Sequence, residues 1–435
     1  MKRYISVFAL AVAILLRATP ADAQPQRLIV RDKLGLKALQ KNCLLLGCNV
    51  AGSLGDPLNQ LFLVTVPNVL NLNKVVSLLP IQLGVVGIEV DELLEIVGPS
   101  LGSIPTQLSD NIPVNYYGHP VWHGYLTQPA NQITRISQTQ SAFHVSGSGI
   151  VALIDTGIDA QHPALLGVVL PGYDFTRNTT NADEKGDLNH STAAVLDGGT
   201  PELVTPSVAA VVSQQAAAIL GSSQYSAFGH GTMTAGLVHL VAPTAKLLPL
   251  KVFKSDGSGY SSDVIRAIYY ATNNDSKVIS MSFSFSASSA EMSKAISYAT
   301  GKGLICVASA GNDGQKIKVY PASLSGVMGV ASTSNSDIQS TFSNYGTQVV
   351  WVAAPGEGIT STYPFGTYAS SSGTSFSAPL VAGTAALLVN VSPTVNQASA
   401  ASAIAHAKWL STDLNNGRLD TYQAVNAFFK TVTKH

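Results

Sequence analysis

Three short segments carry the side chains of this sequence best placed to do chemistry. Ile150-Val-Ala-Leu-Ile-Asp155-Thr-Gly157 is an apolar run that ends in a carboxylate, with Gly157 available for the turn. Reactive groups of open α/β sheets collect at the carboxyl ends of strands, although an Asp in this place also reads as a turn cap. Phe228-Gly-His230-Gly-Thr-Met-Thr-Ala-Gly236 sets one of nine histidines between glycines, ahead of an apolar run, Met233–Leu240, that suits a buried helix. Flanking glycines let the backbone pass close to its neighbours; a lone His is also a common structural residue. Gly373-Thr-Ser375-Phe-Ser-Ala-Pro379-Leu-Val-Ala-Gly383 places a serine where a loop becomes a buried helix. Its backbone N–H then joins the unpaired donors of the first turn, and an ordinary N-cap serine is the plain alternative. Together the three supply what an alcohol needs to become a nucleophile: a base that titrates near neutrality and a carboxylate to orient it.

These residues need a frame to bring them together. Apolar runs recur at Ile150–Ile154, Leu247–Phe253, Val278–Phe283, Leu304–Ala308, Val327–Ala331 and Val349–Ala353. Helical stretches separate them at Ser262–Thr272, Ala290–Thr300 and Ser375–Asn390. Strands too apolar to be half-exposed, alternating with helices, imply an α/β fold: a doubly wound, mostly parallel sheet with helices on both faces. The expected domain spans residues 141–435. It carries an insertion at about 177–227 that breaks the rhythm, with a polar stretch and then a run of small apolar residues, Leu203–Leu220. Before it, residues 24–97 read as a small α+β unit, with strands at Arg27–Arg31, Leu61–Val66, Val85–Val90 and Leu93–Val97 and helices at Leu34–Cys43 and Leu72–Leu79. Residues 98–140, rich in Pro, Gly, Tyr and Asn without a steady period, read as a linker that becomes an extended arm.

The chain has 435 residues, 46% of them hydrophobic, so a sizeable core is available. Only 11% are charged, 25 basic against 25 acidic, compared with about 25% in typical soluble domains. That balance gives no reason to expect nucleic acid as a partner. Lys2 and Arg3, the apolar stretch Tyr4–Leu16 and Ala21-Asp22-Ala23 read as a secretory signal over residues 1–23. The apolar run is shorter than the roughly 20 residues of a membrane span. The expected product is secreted, to the extracellular space or periplasm, without a stable membrane anchor, and monomeric.

The order Asp155, His230, Ser375, with the segments around each, resembles the subtilisin-like serine proteases, or subtilases. The resemblance covers Ile150 to about Phe429 and extends weakly to the small N-terminal unit, which is similar to a subtilase propeptide. It implies a self-processing serine endopeptidase acting on proteins or peptides, with its own propeptide as a partner. Ala308-Ser-Ala310-Gly311-Asn312 resembles the oxyanion-hole segment, with Asn312 the matching amide. Gly257-Ser258-Gly259-Tyr260 and Ser280-Met-Ser282-Phe283-Ser284 resemble the two edges that hold an extended substrate. Where the family usually runs Leu-Gly-Gly, this chain has Phe283-Ser284-Phe285. The missing glycines imply a narrowed or reshaped primary pocket, with a different or smaller residue preferred before the cut bond.

Other readings are weaker. Gly147-Ser-Gly149 precedes its strand, so it makes a poor dinucleotide fingerprint. Neither a Gly-x-Ser-x-Gly elbow around Ser375 nor a His-Glu-x-x-His motif occurs. His119 and His123 suit packing better than metal. Asp183, Glu184 and Asp187 suit a solvated acidic loop better than a calcium site, and the chemistry requires no cofactor. Cys43 and Cys48 are open as a pair, Cys306 reads as a buried thiol, and Asn178 and Asn189 open glycosylation sequons. The rival from another class is a catalytically weak or inactive peptide-binding protein on the same scaffold.

Overall fold

The computed structural model describes residues 25–67, 69–96, 98, 103–188, 200–205 and 208–433. The expected signal over residues 1–23 and the sequon at Asn189 lie outside them. Two compact units emerge, one drawn from Met1–Gly52 and Phe62–Val90, the other from Ser53–Leu61 and Asp91–His435.

The smaller unit is a four-stranded sheet in the order Asn49–Ser53, Leu61–Val66, Gln26–Asp32, Val85–Val90, with helices Leu36–Leu46 and Val69–Leu78. Leu28, Val30, Phe62 and Val64 alternate onto one buried side with Leu39, Cys43 and Val75, as the two-residue strand period requires. The first helix ends at Gly47, whose left-handed backbone accommodates the turn. Cys43 and Cys48 are bonded across this turn.

In the larger unit eight strands form one sheet, ordered Thr179–Thr180, Tyr173–Asp174, Lys246–Lys251, Ile150–Asp155, Ser276–Met281, Ile305–Ser309, Val327–Thr333, Val352–Pro355. All pairs are parallel except the first. Alternate residues face opposite layers. Val151, Leu153, Val278, Ile305, Val307 and Val330 join the core that holds the helices His230–Val241 and Thr374–Val391. Ala152, Ile154, Ile279, Cys306 and Ala308 point the other way and are equally buried. Both faces are therefore dry, which explains the continuous apolar runs of these strands. The 18-residue Thr374–Val391 helix is apolar enough to cross a membrane, but 89% of it is buried inside the protein.

The Ile150–Asp155 strand is flanked by Lys246–Lys251 on one side and Ser276–Met281 on the other. The chain thus winds first one way and then the other from its central strand. Such a reversal opens a crevice at the carboxyl ends, where Asp155 stands.

Two expectations need correction. Leu93–Glu95 does not close the small unit; it pairs antiparallel with Ser258–Tyr260 of the larger one. Asp91 supports this pairing by accepting from the Ser262 amide (2.7 Å) and the Ser261 and Ser262 hydroxyls at the start of the Ser261–Asn273 helix. Residues 98–140 are not an extended arm. After the hairpin Pro113–Tyr116/His119–Trp122 come three helices, His123–Thr127, Pro129–Ile133 and Ile136–Phe143. Two of them have five residues each, too few to show a period. They are held by buried polar anchors: Tyr125 Oη donates to the Gly236 carbonyl at 2.6 Å, and Gln128 brackets Thr360. This region belongs to the core of the larger unit, so Tyr125→Ala is expected to cost about 3–5 kcal/mol. A urea midpoint that hardly moves would show that the arm is not a structural part of that unit.

Candidate active site

Asp155 ends its strand, and its carboxylate is held by three close donors, with the Thr156 hydroxyl further off at 3.4 Å. His230 Nδ1 and the Thr156 amide meet Oδ1 at 2.7 Å each, and Thr234 Oγ1 meets Oδ2 at 3.1 Å. His230 opens its helix and Thr234 lies one turn further on, so a single helix face supplies both contacts. Gly229 adopts a left-handed backbone at φ 88°, and a side chain on it would collide with the Tyr363 ring. A side chain on Gly231 would collide with the Gly157 carbonyl. Gly229 thus lets the helix start press against Tyr363, and Gly231 lets it press against the loop after Asp155.

The His230 side chain is largely buried, with 10% of its surface exposed. Burial pulls its pKa down, but the Asp155 charge and hydrogen bond, with help from Glu184, more than offset that, and the net direction is up. Its other nitrogen, Nε2, has no hydrogen-bond partner among the described residues. Ser375 lies in the first turn of the Thr374–Val391 helix and borders the same cavity as His230. Its hydroxyl donates to the Ser282 carbonyl at 2.9 Å instead of to His230. The carboxylate–imidazole half of the set is joined, then, while the hydroxyl is turned aside.

Asn312 Oδ1 accepts from the Thr374 amide and hydroxyl, both at 2.9 Å. That fixes the side-chain plane next to Ser375, and both residues border a second cavity of about 400 Å³. Phe283, Ser284 and Phe285 form part of its wall. Phe283 is buried against Phe253, ring centroids 5.1 Å apart, and stacks with Phe285. The Phe283 and Phe285 rings pack on one another where they border the cavity.

Gly257, Ser258 and Gly259 line up opposite Glu95 and Leu94, and the Ile96 amide donates to the Gly257 carbonyl at 3.0 Å. Ile96 and Gly98 both border the two cavities that contain Ser375. Ser282 is buried and contributes its carbonyl. Ala310 and Gly311 stand behind Asn312, with their amides donated to the Val330 carbonyl and Thr374 Oγ1.

The subtilase family model matches residues 147–426. Thermitase of Thermoactinomyces vulgaris is 35% identical over 295 residues, covering 67% of this chain and 94% of that protein. A thermophilic serine proteinase of Bacillus sp. (strain AK1) is 34% identical over 286 residues, 63% of this chain and 62% of that one. This chain belongs to the subtilase family. It is a subtilisin-like serine endopeptidase. A solved lanthipeptide protease shares the fold at a TM-score of 0.53 and 23% identity, covering 68% of this chain and 94% of that one.

Within this subtilase the acidic loop is not solvated as expected. Glu184 is fully buried, Asp187 pairs with Lys251 and Arg177 (both 2.7 Å), and Asp183 caps the Lys185 amide. The three carboxylates are engaged separately and do not converge. Lys251, hidden in an apolar strand, also donates to the Thr156 and Phe253 carbonyls and so braces the loop after Asp155. His123 pairs with Asp110 at 2.5 Å, and the His119 ring packs edge-on against buried His239. The insertion adds a hairpin, Thr200–Thr205/Val208–Val212, whose second strand pairs with Thr367–Ser371 just before Ser375. Through this pairing Val208 reaches the cavity wall beside His230.

His230 must be neutral to accept a proton, so kcat/KM should fall with pH through a midpoint above about 6.5, the ordinary imidazole value. Asp155→Asn should lower that midpoint and reduce kcat by about 10⁴. A midpoint at or below 6.5 in the unaltered enzyme would contradict the buried pairing.

Proposed function

We propose that the protein is a secreted endopeptidase, made as a precursor that cuts itself between Val97 and Gly98 and works through an acyl-enzyme on Ser375. The observation carrying this reading is the Asp155–His230 pair beside Ser375, with Ile96 and Gly98 bordering the same cavities. Val97 lies outside the described residues. Leu94, Glu95 and Ile96 run along Gly257–Gly259 as an extended substrate would, main chain against main chain.

In the proposed reaction Ser375 rotates about χ1 from the Ser282 carbonyl toward His230, a move between staggered wells. Its Oγ attacks the substrate carbonyl carbon while His230 Nε2 takes the hydroxyl proton. Asp155 holds the tautomer and stabilises the imidazolium without being protonated itself. Negative charge gathers on the former carbonyl oxygen, where the Asn312 amide and the Ser375 backbone N–H donate. The C–N bond breaks as His230 returns the proton to the leaving amine. A water then attacks the ester by the same route, releasing the acid and restoring Ser375. Asn312→Ala should lower kcat by about 10²–10³, the loss known for such a donor in this family.

Residues 24–97 act in this reading as a propeptide, and Val97 suggests a medium aliphatic residue before the cut bond. A peptide-library profile equally tolerant of large aromatic residues there would count against that preference. The test of the main reading is expression of the full chain with and without Ser375→Ala in a protease-free host. The unaltered chain should yield a product beginning at Gly98 and react with a fluorophosphonate probe. The variant should do neither. A shortened variant would overturn self-processing, and an unaltered protein inert to both probe and peptides would favour the inactive-scaffold alternative.

A further inference from the structure

Glu184 accounts for nothing in the reaction above, yet it is a fully buried carboxylate a few residues' reach from its centre. It lies in the Glu184–Asp187 turn of the insertion, remote in sequence from every group that binds it. Oε1 accepts from the Thr156 hydroxyl and from the Gly229 amide at 2.8 Å. Oε2 accepts from the Thr232 amide at 3.1 Å and the Thr232 hydroxyl at 2.6 Å. Thr156 Oγ1 in turn accepts from the Gly231 amide at 2.8 Å.

The pattern is specific. Thr156 directly follows Asp155, and Gly229, Gly231 and Thr232 surround His230. Directly or through Thr156, Glu184 therefore takes up three amide donors of the first turn of the histidine helix, the end where a negative charge is favoured. It is an anionic cap supplied from a distant loop, and it spans both sides of the Asp155–His230 hydrogen bond.

We propose that Glu184 is a positioning residue for catalysis: its carboxylate locks the start of the His230 helix onto the loop after Asp155 and adds to the charge that favours imidazolium during proton transfer. The proposal rests on the serine-protease reading of the site.

Burial pushes the Glu184 carboxyl from its ordinary value near 4.5 up to about 7, against the pull of Thr156, Thr232 and Lys251. A raised carboxyl pKa means that its contribution to stability is full below about 4.5 and is lost as pH rises through about 7. Above about pH 7, where Glu184 is ionised, its burial is a cost to folding. The charged groups coupled to it are Asp155 and His230 at the site and Lys251 from the neighbouring strand; Lys251 is itself paired with Asp187, which also binds Arg177, and Lys185, next to Glu184 in sequence, pairs with Asp159 from the loop after Asp155. Tyr363 packs nearby and feels the same charge, its pKa raised by burial first and by Glu184 second.

The test compares processed wild-type enzyme with Glu184→Gln, which keeps the shape but removes the charge and places an NH2 among donors, and with the milder Thr232→Val. Each is assayed on a peptide p-nitroanilide across pH, with circular dichroism and a thermal melt to report folding. Glu184→Gln should lose roughly 10- to 100-fold in kcat with KM changed less than about twofold, the pattern of a misplaced group rather than a lost binding contact. Its acid limb should move to lower pH, since removing the carboxylate withdraws support for imidazolium. Thr232→Val should shift kcat in the same direction by a smaller factor, and it decides the matter if Glu184→Gln does not fold. A folded Glu184→Gln enzyme with wild-type kcat and a superimposable pH profile would overturn the proposal. So would a loss confined to KM, or a Thr232→Val enzyme indistinguishable from wild type where Glu184→Gln is unfolded. An active wild type in the same assay separates any such failure from failure of the protease reading.

Discussion

The arrangement depends on one buried contact, the 2.7 Å hydrogen bond between Asp155 and His230. A carboxylate removed from water is costly unless its oxygens are bonded and a cation can form beside it. Here two further donors, the Thr156 amide and the Thr234 hydroxyl, complete its shell. With the shell filled, the carboxylate is fixed in place to hold the ring that must alternately take and return a proton.

Much of the larger unit can be understood as what keeps that contact in register. The central parallel strand delivers Asp155 to a crevice at the sheet's carboxyl edge. The histidine helix approaches closely because glycine stands on both sides of His230. The serine helix packs in the same core layer, so Ser375 reaches the cavity from a second rigid element. Catalytic groups mounted on packed elements are held more closely than groups on loops. Buried charges then brace the loop between them: Lys251 from the neighbouring strand and Glu184 from the insertion bond to opposite sides of Thr156, one to its carbonyl and the other to its hydroxyl.

What the sequence disclosed and what it hid follow from range. The sheet was legible because both of its faces are dry, which leaves continuous apolar runs such as Ile150–Ile154. The long helices were legible because they carry full periods; Ser262–Thr272, read from sequence, differs by a residue at each end from the observed Ser261–Asn273. The Asp, His and Ser were legible through local punctuation by glycine and through their order. Glu184 was not: in Asp183-Glu184-Lys185-Gly186-Asp187 it looks like a hydrophilic loop, and its partners lie 28 to 48 positions away. The helices around Tyr125 are too short to carry a period. Leu93–Glu95 reads as a strand in sequence, but nothing local states which sheet edge it will join. The small apolar residues of Leu203–Leu220 divided between two paired strands and a helix, Gln214–Leu220, through contacts that composition does not encode.

The most direct measurement of the central contact is proton NMR of the Ser375→Ala protein, following the His230 Nδ1 proton as pH is varied. A proton shared with a buried carboxylate should resonate far downfield, exchange slowly with water, and report protonation of the ring with a midpoint above about 6.5, and the signal should vanish in the additional presence of Asp155→Asn. A ring that shows no such resonance and titrates like an exposed imidazole would mean that the buried pair does not exist in solution.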